Sequence, residues 1–377
     1  MKKLISVVVF SILISTAFSQ YVGSKSLTRT HTGKTFEAGR LDVRSDVNFF
    51  TKLADFIGSA PPDFTAANYW LVSSNLVFTY GIVDNIDLTL ALRLYQDTHY
   101  TNEYNLPDDI FATLKVGSFP FGKRRFFGAG MLNFRIGTGE VHNYPFVEYS
   151  SGGLEFGLKG ALSYYIDPYL PDRNFSAHLN LGWYDHNDAS KFVYDPPKRP
   201  DRRQEAGNNA QEFQYALGFI YPVGQVDFML EASGIKYLVQ PDTMVYGRED
   251  FTYLTPSIRY KPYRWLSLDL AVDLRISKDV EETSGVSLWT KDLSLPNYAS
   301  WIAHLGFNFH ILAPQGEGNG GFERDRFNRR IDYFNGVMED RDRLEKVRDE
   351  LQKLKKQRED AEKELEELKQ ILDEEGK

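Results

Sequence analysis

The sequence predicts an all-β transmembrane antiparallel barrel of about 12 strands, followed by a C-terminal α-helical coiled-coil arm. Three observations carry that expectation. Between about Lys34 and Leu312 apolar and polar residues alternate with period 2, the mark of strands with one apolar face. Short turns and long polar loops connect these segments alternately. Residues 322–377 then abandon the alternation for apolar residues at heptad spacing.

The chain opens on a leader. Lys2 and Lys3 precede an apolar run from Leu4 to Ile14, and Ala17-Phe18-Ser19 places small residues three and one before Gln20, so residues 1–19 read as a cleaved secretory signal peptide. The apolar run falls short of the roughly 20 residues that a spanning helix needs. Residues 20–33 alternate poorly and read as an N-terminal lead-in, either periplasmic or folded into the barrel as a plug.

The barrel is expected over residues 34–312. Gly39 to Phe49 sets Leu41, Val43, Val47 and Phe49 on one face and Arg40, Asp42, Arg44, Asp46 and Asn48 on the other. Trp265 to Ser277 repeats the pattern, with Leu266, Leu268, Leu270, Val272, Leu274 and Ile276 facing away from Ser267, Asp269, Asp273 and Arg275. Ten similar segments start near Asn68, Ile86, Asp109, Phe126, Leu154, Phe175, Phe213, Val226, Thr252 and Trp301. Many reach about ten residues, enough for a tilted strand to cross a bilayer and longer than the usual soluble strand. Short turns at Val83 to Asn85, Pro120 to Lys123, Asp167 to Arg173, Pro222 to Gly224 and Lys261 to Arg264 interleave with long polar loops. That asymmetry assigns the short turns to the periplasmic rim and the long loops to the outside. Phe78, Tyr80, Phe119, Phe121, Phe126, Phe127, Tyr164, Tyr165, Phe219, Tyr221, Tyr260, Tyr263 and Trp265 crowd the short turns, as in a girdle at headgroup level.

Composition excludes several chemistries. Cys is absent, so there is no disulfide, thiolate metal site or Cys nucleophile. With 44 basic and 52 acidic side chains the net charge is −8, which argues against nucleic acid as a partner. If the apolar faces meet lipid, the lumen is lined by Arg40, Arg44, Arg93, Lys115, Arg135, Lys159, Arg259 and Arg275 against Asp42, Asp46, Asp87, Glu155, Asp227, Glu231, Asp269 and Asp273. Matched signs allow either an ion-paired, closed lumen or a narrow pore with positive and negative walls. The longest loop carries Lys191, Asp195 to Pro200 and Arg202-Arg203, a basic stretch able to fold inward toward anionic solutes or to face solvent and lipopolysaccharide.

His304-Leu305-Gly306-Phe307-Asn308-Phe309-His310-Ile311 resembles the terminal-strand signal of outer-membrane β-barrels, with His304, Gly306, Phe309 and Ile311 at its marked positions. The resemblance implies recognition by the barrel-assembly machinery. The chain departs from the family by continuing about 65 residues past this strand. Tyr80-Gly81-Ile82-Val83-Asp84-Asn85-Ile86-Asp87-Leu88 is similar to turn phrases of porin-like bacterial barrels of the putative transporter type. An outer-membrane hydrolase of the phospholipase type needs a His and a Ser two residues apart on one strand with a supporting Asn. Ala177-His178-Leu179-Asn180 and His304 to His310 read as lacking that serine. His304 and His310 read as lumen hydrogen-bonding groups, so no catalytic residue, metal or cofactor is expected.

Ala313 to Gly321 is a Gly-rich linker. Beyond it, Val337, Leu344, Leu351, Leu365 and Leu372 form one seam and Val347, Leu354, Ala361 and Leu368 its companion, with Arg358 interrupting. The seam covers about five heptads, roughly 55 Å of helix. An even strand number places this arm in the periplasm, where a homo-oligomer or a periplasmic protein is the expected partner. The functions expected are passive passage of small polar solutes through a porin-like barrel, or a structural anchor whose lumen is closed by ion pairs and whose arm holds that partner.

Overall fold

The computed structural model describes residues 26–55, 66–98, 109–138, 146–167, 170, 173–194, 204–243, 245–263, 265–278, 280, 282, 298–312, 338, 341 and 344–365. The chain divides into two compact units, residues 1–315 and 316–377.

The first unit is a closed antiparallel barrel. Its strands are β1 (Leu41–Asp55), β2 (Ala66–Val83), β3 (Ile86–Thr98), β4 (Asp109–Phe121), β5 (Phe126–Gly137), β6 (Leu154–Tyr165) and β7 (Ser176–Asp185), then β10 (Gln211–Val223), β11 (Val226–Val239), β12 (Phe251–Tyr263), β13 (Leu266–Arg275) and β14 (Trp301–Leu312). Two short strands, β8 (Phe192–Tyr194) and β9 (Gln204–Glu205), form a separate hairpin in the connection between β7 and β10. Each barrel strand pairs with its neighbours in sequence, and β1 closes on β14 from Leu41 opposite Leu312 to Phe49 opposite Ala303. Closure removes every sheet edge, which a hydrocarbon environment could not satisfy.

Burial along the strands is the inverse of a water-soluble sheet. In β13, Asp269 and Asp273 are 3% and 0% exposed, while Leu270 and Leu274, the residue after each, are 59% and 43% exposed. The same holds in β11, where Asp227 and Glu231 are buried and Phe228 and Leu230 are exposed. A polar interior inside a continuous apolar outer surface is stable only against lipid. Strand lengths from 10 residues in β7 to 18 in β2 suffice to cross it.

Short turns gather at one rim. Val223 and Val226 pair across Gly224-Gln225, where Gly224 takes φ +62°, a left-handed geometry open to glycine at no steric cost. Exposed Phe119, Phe121, Tyr221, Tyr260, Tyr263 and Trp265 ring this end, and Tyr263 stacks on Trp265 with centroids 5.5 Å apart. Tyr165 departs from the expected girdle. It is 6% exposed and points inward, as does Phe127 of the same expected girdle, which packs edge-on against it, and the Lys34 ammonium lies over both rings.

The start of the barrel also differs from expectation. The first strand begins at Leu41, not near Lys34, and residues 26–38 lie inside the barrel, the second of the two alternatives for the residues up to 33. Leu27, Thr30, His31, Thr32, Thr35 and Phe36 are all buried. Residues 34–40, assigned by sequence to the first strand and its approach, therefore belong to this internal segment and its exit.

At the long-loop end, loop residues turn into the barrel mouth. Phe146 and Ala299 pack with Phe50 and Leu71, while Tyr298 joins Ile235, Tyr237, Phe251 and Tyr253. A parallel bridge between Phe146 and Tyr298 ties the two loops together.

In the second unit, residues 344–365 form a single helix, α1. Leu344, Val347, Leu351, Leu354, Ala361 and Leu365 are all exposed, and Arg358 pairs with Glu362 at 2.9 Å. Val337, Leu368 and Leu372 lie outside the described residues, as does residues 1–19, the assigned signal peptide.

Candidate functional site

The chemistry of the barrel concentrates in its lumen, and alternation decides which side chains reach it. Asp42, Arg44, Asp46, Asp87, Arg93, Lys115, Arg135, Glu155, Lys159, Asp227, Glu231, Arg259, Asp269 and Asp273 are all buried on the inner face. Arg40, just before β1, and Arg275, at the end of β13, are partly buried.

Many of these groups are joined in a lattice of ion pairs. Arg259 donates to both carboxylate oxygens of Asp269, at 2.7 and 2.8 Å, and Arg44 reaches the same carboxylate at 3.4 Å. Register explains the first pair, because Arg259 and Asp269 face each other across the β12–β13 hairpin. Arg135 donates to Asp109 at 2.6 and 2.9 Å and lies 3.7 Å from Glu155, which stands opposite it across β5 and β6. Its remaining donor reaches the Tyr149 carbonyl at 2.9 Å, so the lattice also anchors an inward loop. Arg40 pairs with Asp42 at 3.0 Å, and Lys261 with Asp227 at 2.7 Å.

The marked residues of the terminal strand divide between its faces. His304 and Gly306 point inward, whereas Ile311 is 56% exposed and Phe309 stacks against Trp265 on the outer surface. His304 lies 2.6 Å from the Asn48 amide oxygen and 2.8 Å from Asp273, and His310 lies 2.6 Å from Asp42. Among the described residues no group of three His, Asp or Glu side chains has the arrangement of a metal site.

Residues 26–38 fill the space within this lattice by running from strand to strand. The Glu231 carboxylate accepts the N–H groups of Thr28 and Arg29, each at 2.8 Å. Arg29 is ion-paired with Asp273, which also accepts the Thr255 hydroxyl at 2.6 Å. Arg259 donates to the Ser26 carbonyl at 2.9 Å and Arg44 to the Leu27 carbonyl at 3.4 Å. Asn180 bonds both main-chain groups of His31, Ser163 takes the Gly33 N–H, and Ser118 takes that of Thr35. Ser118 sits in a bulge of β4 at φ +60°, which aims its hydroxyl inward. Gly218 of β10 makes room for the segment, since a Cβ there would stand 2.8 Å from Leu27 and 3.0 Å from Thr30.

Two polar cavities flank the segment. One, about 490 Å³, opens among the short turns and is bounded by Thr32, Tyr165, His178, Lys261 and His310. The other, about 90 Å³, lies toward the long loops and is bounded by Thr28, Arg29, Arg93, Phe146 and Tyr298. The segment forms a wall of both.

Arg29, Asp109, Ser163, Asn180 and His186 are participants that the sequence did not mark. Asp109 is the first residue of β4, where the sequence also starts a strand, but it carries no mark of a lumen ion pair. His186 follows β7 directly and lies between Glu155, at 3.3 Å, and Glu212, at 3.8 Å. Burial alone would lower its pKa, but the two carboxylates push it up to about 10. Ser176 stands two residues before His178, so the expectation that no serine holds that offset is wrong. Its hydroxyl is 3.0 Å from His178 Nε2, while Ser163 occupies Nδ1 at 2.6 Å. With both ring nitrogens facing hydroxyls and Asn180 committed to His31, the cluster is a hydrogen-bond relay between the wall and the segment.

A closed barrel with charged groups inside, apolar side chains outside and aromatics at its short-turn rim is a transmembrane β-barrel. No family model matches the chain, and no curated protein matches it in sequence. Among solved structures it is similar to an outer membrane channel from Pseudomonas putida F1, at 10% identity and a TM-score of 0.47, over 74% of this chain and 98% of that one. The NanC porin is similar at 10% identity and a TM-score of 0.44, over 72% of this chain and all of its own. The outer membrane channel DcaP of Acinetobacter baumannii is similar at 9% identity and a TM-score of 0.30, over 74% and 100% respectively.

Proposed function

We propose that this chain is an outer-membrane channel for small polar solutes, gated by its own residues 26–38. One observation carries the reading: a single segment, joined to the barrel only through its C-terminal end at β1 among the described residues, partitions two polar cavities that otherwise share the same lumen. The walls beyond it are polar on every strand, as a solute path requires. Wall and segment are joined by hydrogen bonds and ion pairs, which can exchange for water.

The test is ion conductance across a planar bilayer, comparing the full chain with a variant lacking residues 26–38. The expected result is a nearly silent full chain and discrete current steps from the variant. A silent variant, shown to be folded by heat-modifiable gel migration, sinks the channel reading. It would favour the second one, a structural anchor, which the buried ion-pair lattice supports.

In either case the short turns face the periplasm and the long loops the exterior. Both β1 and β14 reach the short-turn rim, which supports an exit of the chain toward the periplasm. There α1 holds a second copy or a periplasmic protein through its exposed leucines. Outer-membrane lipid, lipopolysaccharide and the barrel-assembly machinery are the remaining proposed partners.

A further inference from the structure

Residues 31–38 are held largely by their main chain. Asn180 accepts the His31 N–H at 2.7 Å and donates to the His31 carbonyl at 2.8 Å, the double exchange that a neighbouring strand makes. Ser163 and Ser118 accept the N–H groups of Gly33 and Thr35 at 2.6 and 2.8 Å. Asp87 and Asp84 accept those of Phe36 and Ala38, each at 3.1 Å. Lys115 donates to the Lys34 carbonyl at 2.6 Å. Main-chain groups are common to all peptides, so a wall that reads them tolerates many side chains.

The Thr35 hydroxyl also bonds the Asp84 carbonyl and the Ser118 hydroxyl, each at 2.7 Å, and Gly33 and Lys34 are read more narrowly still. A Cβ on Gly33 would collide with the Phe127 carbonyl, which leaves that position to glycine. The Lys34 ammonium lies 4.4 Å from the ring centroids of both Phe127 and Tyr165, a two-sided cation–π seat.

We propose that the lumen is a peptide-binding site: the wall that seats residues 31–38 takes, in trans, an extended peptide containing a glycine followed by a cationic residue. The chain's own segment is its resident occupant. The inference rests on the reading of the lumen as a path gated by this segment, and names the class of ligand able to replace it.

The test uses the full chain with a protease site inserted between Gly39 and Arg40, folded and then cleaved. The variant lacking residues 26–38 serves beside it, so that slow departure of the cut segment does not mask the site. The probe is a fluorescent peptide of residues 26–38, followed by anisotropy. The expected result is saturable binding, retained within about threefold when Thr28 and Thr32 of the peptide are both alanine. Replacing Gly33 of the peptide by alanine, or Lys34 by norleucine, is expected to weaken it tenfold or more. Asn180→Ala in the barrel removes two hydrogen bonds and is expected to weaken every peptide about tenfold. No binding to either folded protein overturns the inference, as does equal loss from the doubly alanine-substituted and Gly33-substituted peptides. Conductance of the same samples separates the two readings. Current without peptide binding removes the peptide site alone, whereas binding without current removes the channel and keeps the site.

Discussion

Replacing Asp273 with alanine tests whether the N-terminal segment is seated as described. Asp273 is fully buried on β13 and gathers three groups: Arg29 of the segment, His304 at 2.8 Å and the Thr255 hydroxyl at 2.6 Å. Its removal leaves the partly buried Arg29 guanidinium without its ion-pair partner. Breaking one side of a buried ion pair typically costs about 3–5 kcal/mol, far more than a single neutral hydrogen bond at about 1 kcal/mol. Asp273→Ala is therefore expected to lose about 3–5 kcal/mol of folding free energy. Combining it with Arg29→Met removes the orphaned charge and is expected to restore more than half of that loss. Urea titration of tryptophan fluorescence in lipid vesicles measures both, read as a double-mutant cycle. A loss below about 1 kcal/mol, or no recovery in the double variant, would show that Arg29 does not occupy this site.

Further expectations address other parts of the barrel. Gly218→Val places methyl groups where Leu27 and Thr30 lie, so it is expected to cost about 1–3 kcal/mol by overpacking; limited proteolysis should then cut within residues 26–38 faster than in the parent, and equal rates would contradict the packing. His186 has a folded pKa of about 10, above its ordinary 6.5, because Glu155 and Glu212 overcome the effect of burial. Its contribution is thus complete below pH 6.5 and fades as pH rises through about 10. The thermal midpoint of the parent should fall relative to His186→Gln over that interval, and an NMR titration placing the imidazole below pH 7 would refute the assignment. If α1 mediates self-association, Leu351→Lys combined with Leu354→Lys should reduce the mass found by analytical ultracentrifugation in detergent to that of one chain; an unchanged mass excludes the helix as an oligomer contact.

The strands were legible because lipid and lumen impose opposite demands on alternate residues, which writes period 2 into the chain. Thus Leu266, Leu268, Leu270, Val272 and Leu274 alternate with Ser267, Asp269, Asp273 and Arg275, and no helix puts residues two apart on one face. Some ion pairs were legible in principle as well. A register shift between Tyr260 and Tyr263, next to the turn into Leu266, sets Arg259 opposite Asp269. The hairpin of β5 and β6 likewise sets Arg135 opposite Glu155. What the pattern hides is the occupant of the lumen. Residues 26–38 are bound through backbone N–H and C=O groups, which every sequence possesses, and through polar side chains, with Leu27 and Phe36 as their large buried apolar groups, so their burial leaves no hydrophobic period. The Arg29–Asp273 pair joins residues 244 positions apart and follows from barrel closure, not from any local rule. The coiled-coil seam was read from heptads alone. The described helix keeps those residues exposed, leaving their partner a question for the oligomer measurement.

The central claim is that residues 26–38 close an otherwise continuous polar path. Single-channel recording tests it most directly, with the full chain and the variant lacking residues 26–38 refolded under identical conditions. The account predicts rare, small openings from the full chain and long-lived, discrete conductance steps from the variant. Equal conductance from the two proteins, or silence from a folded variant, would contradict it.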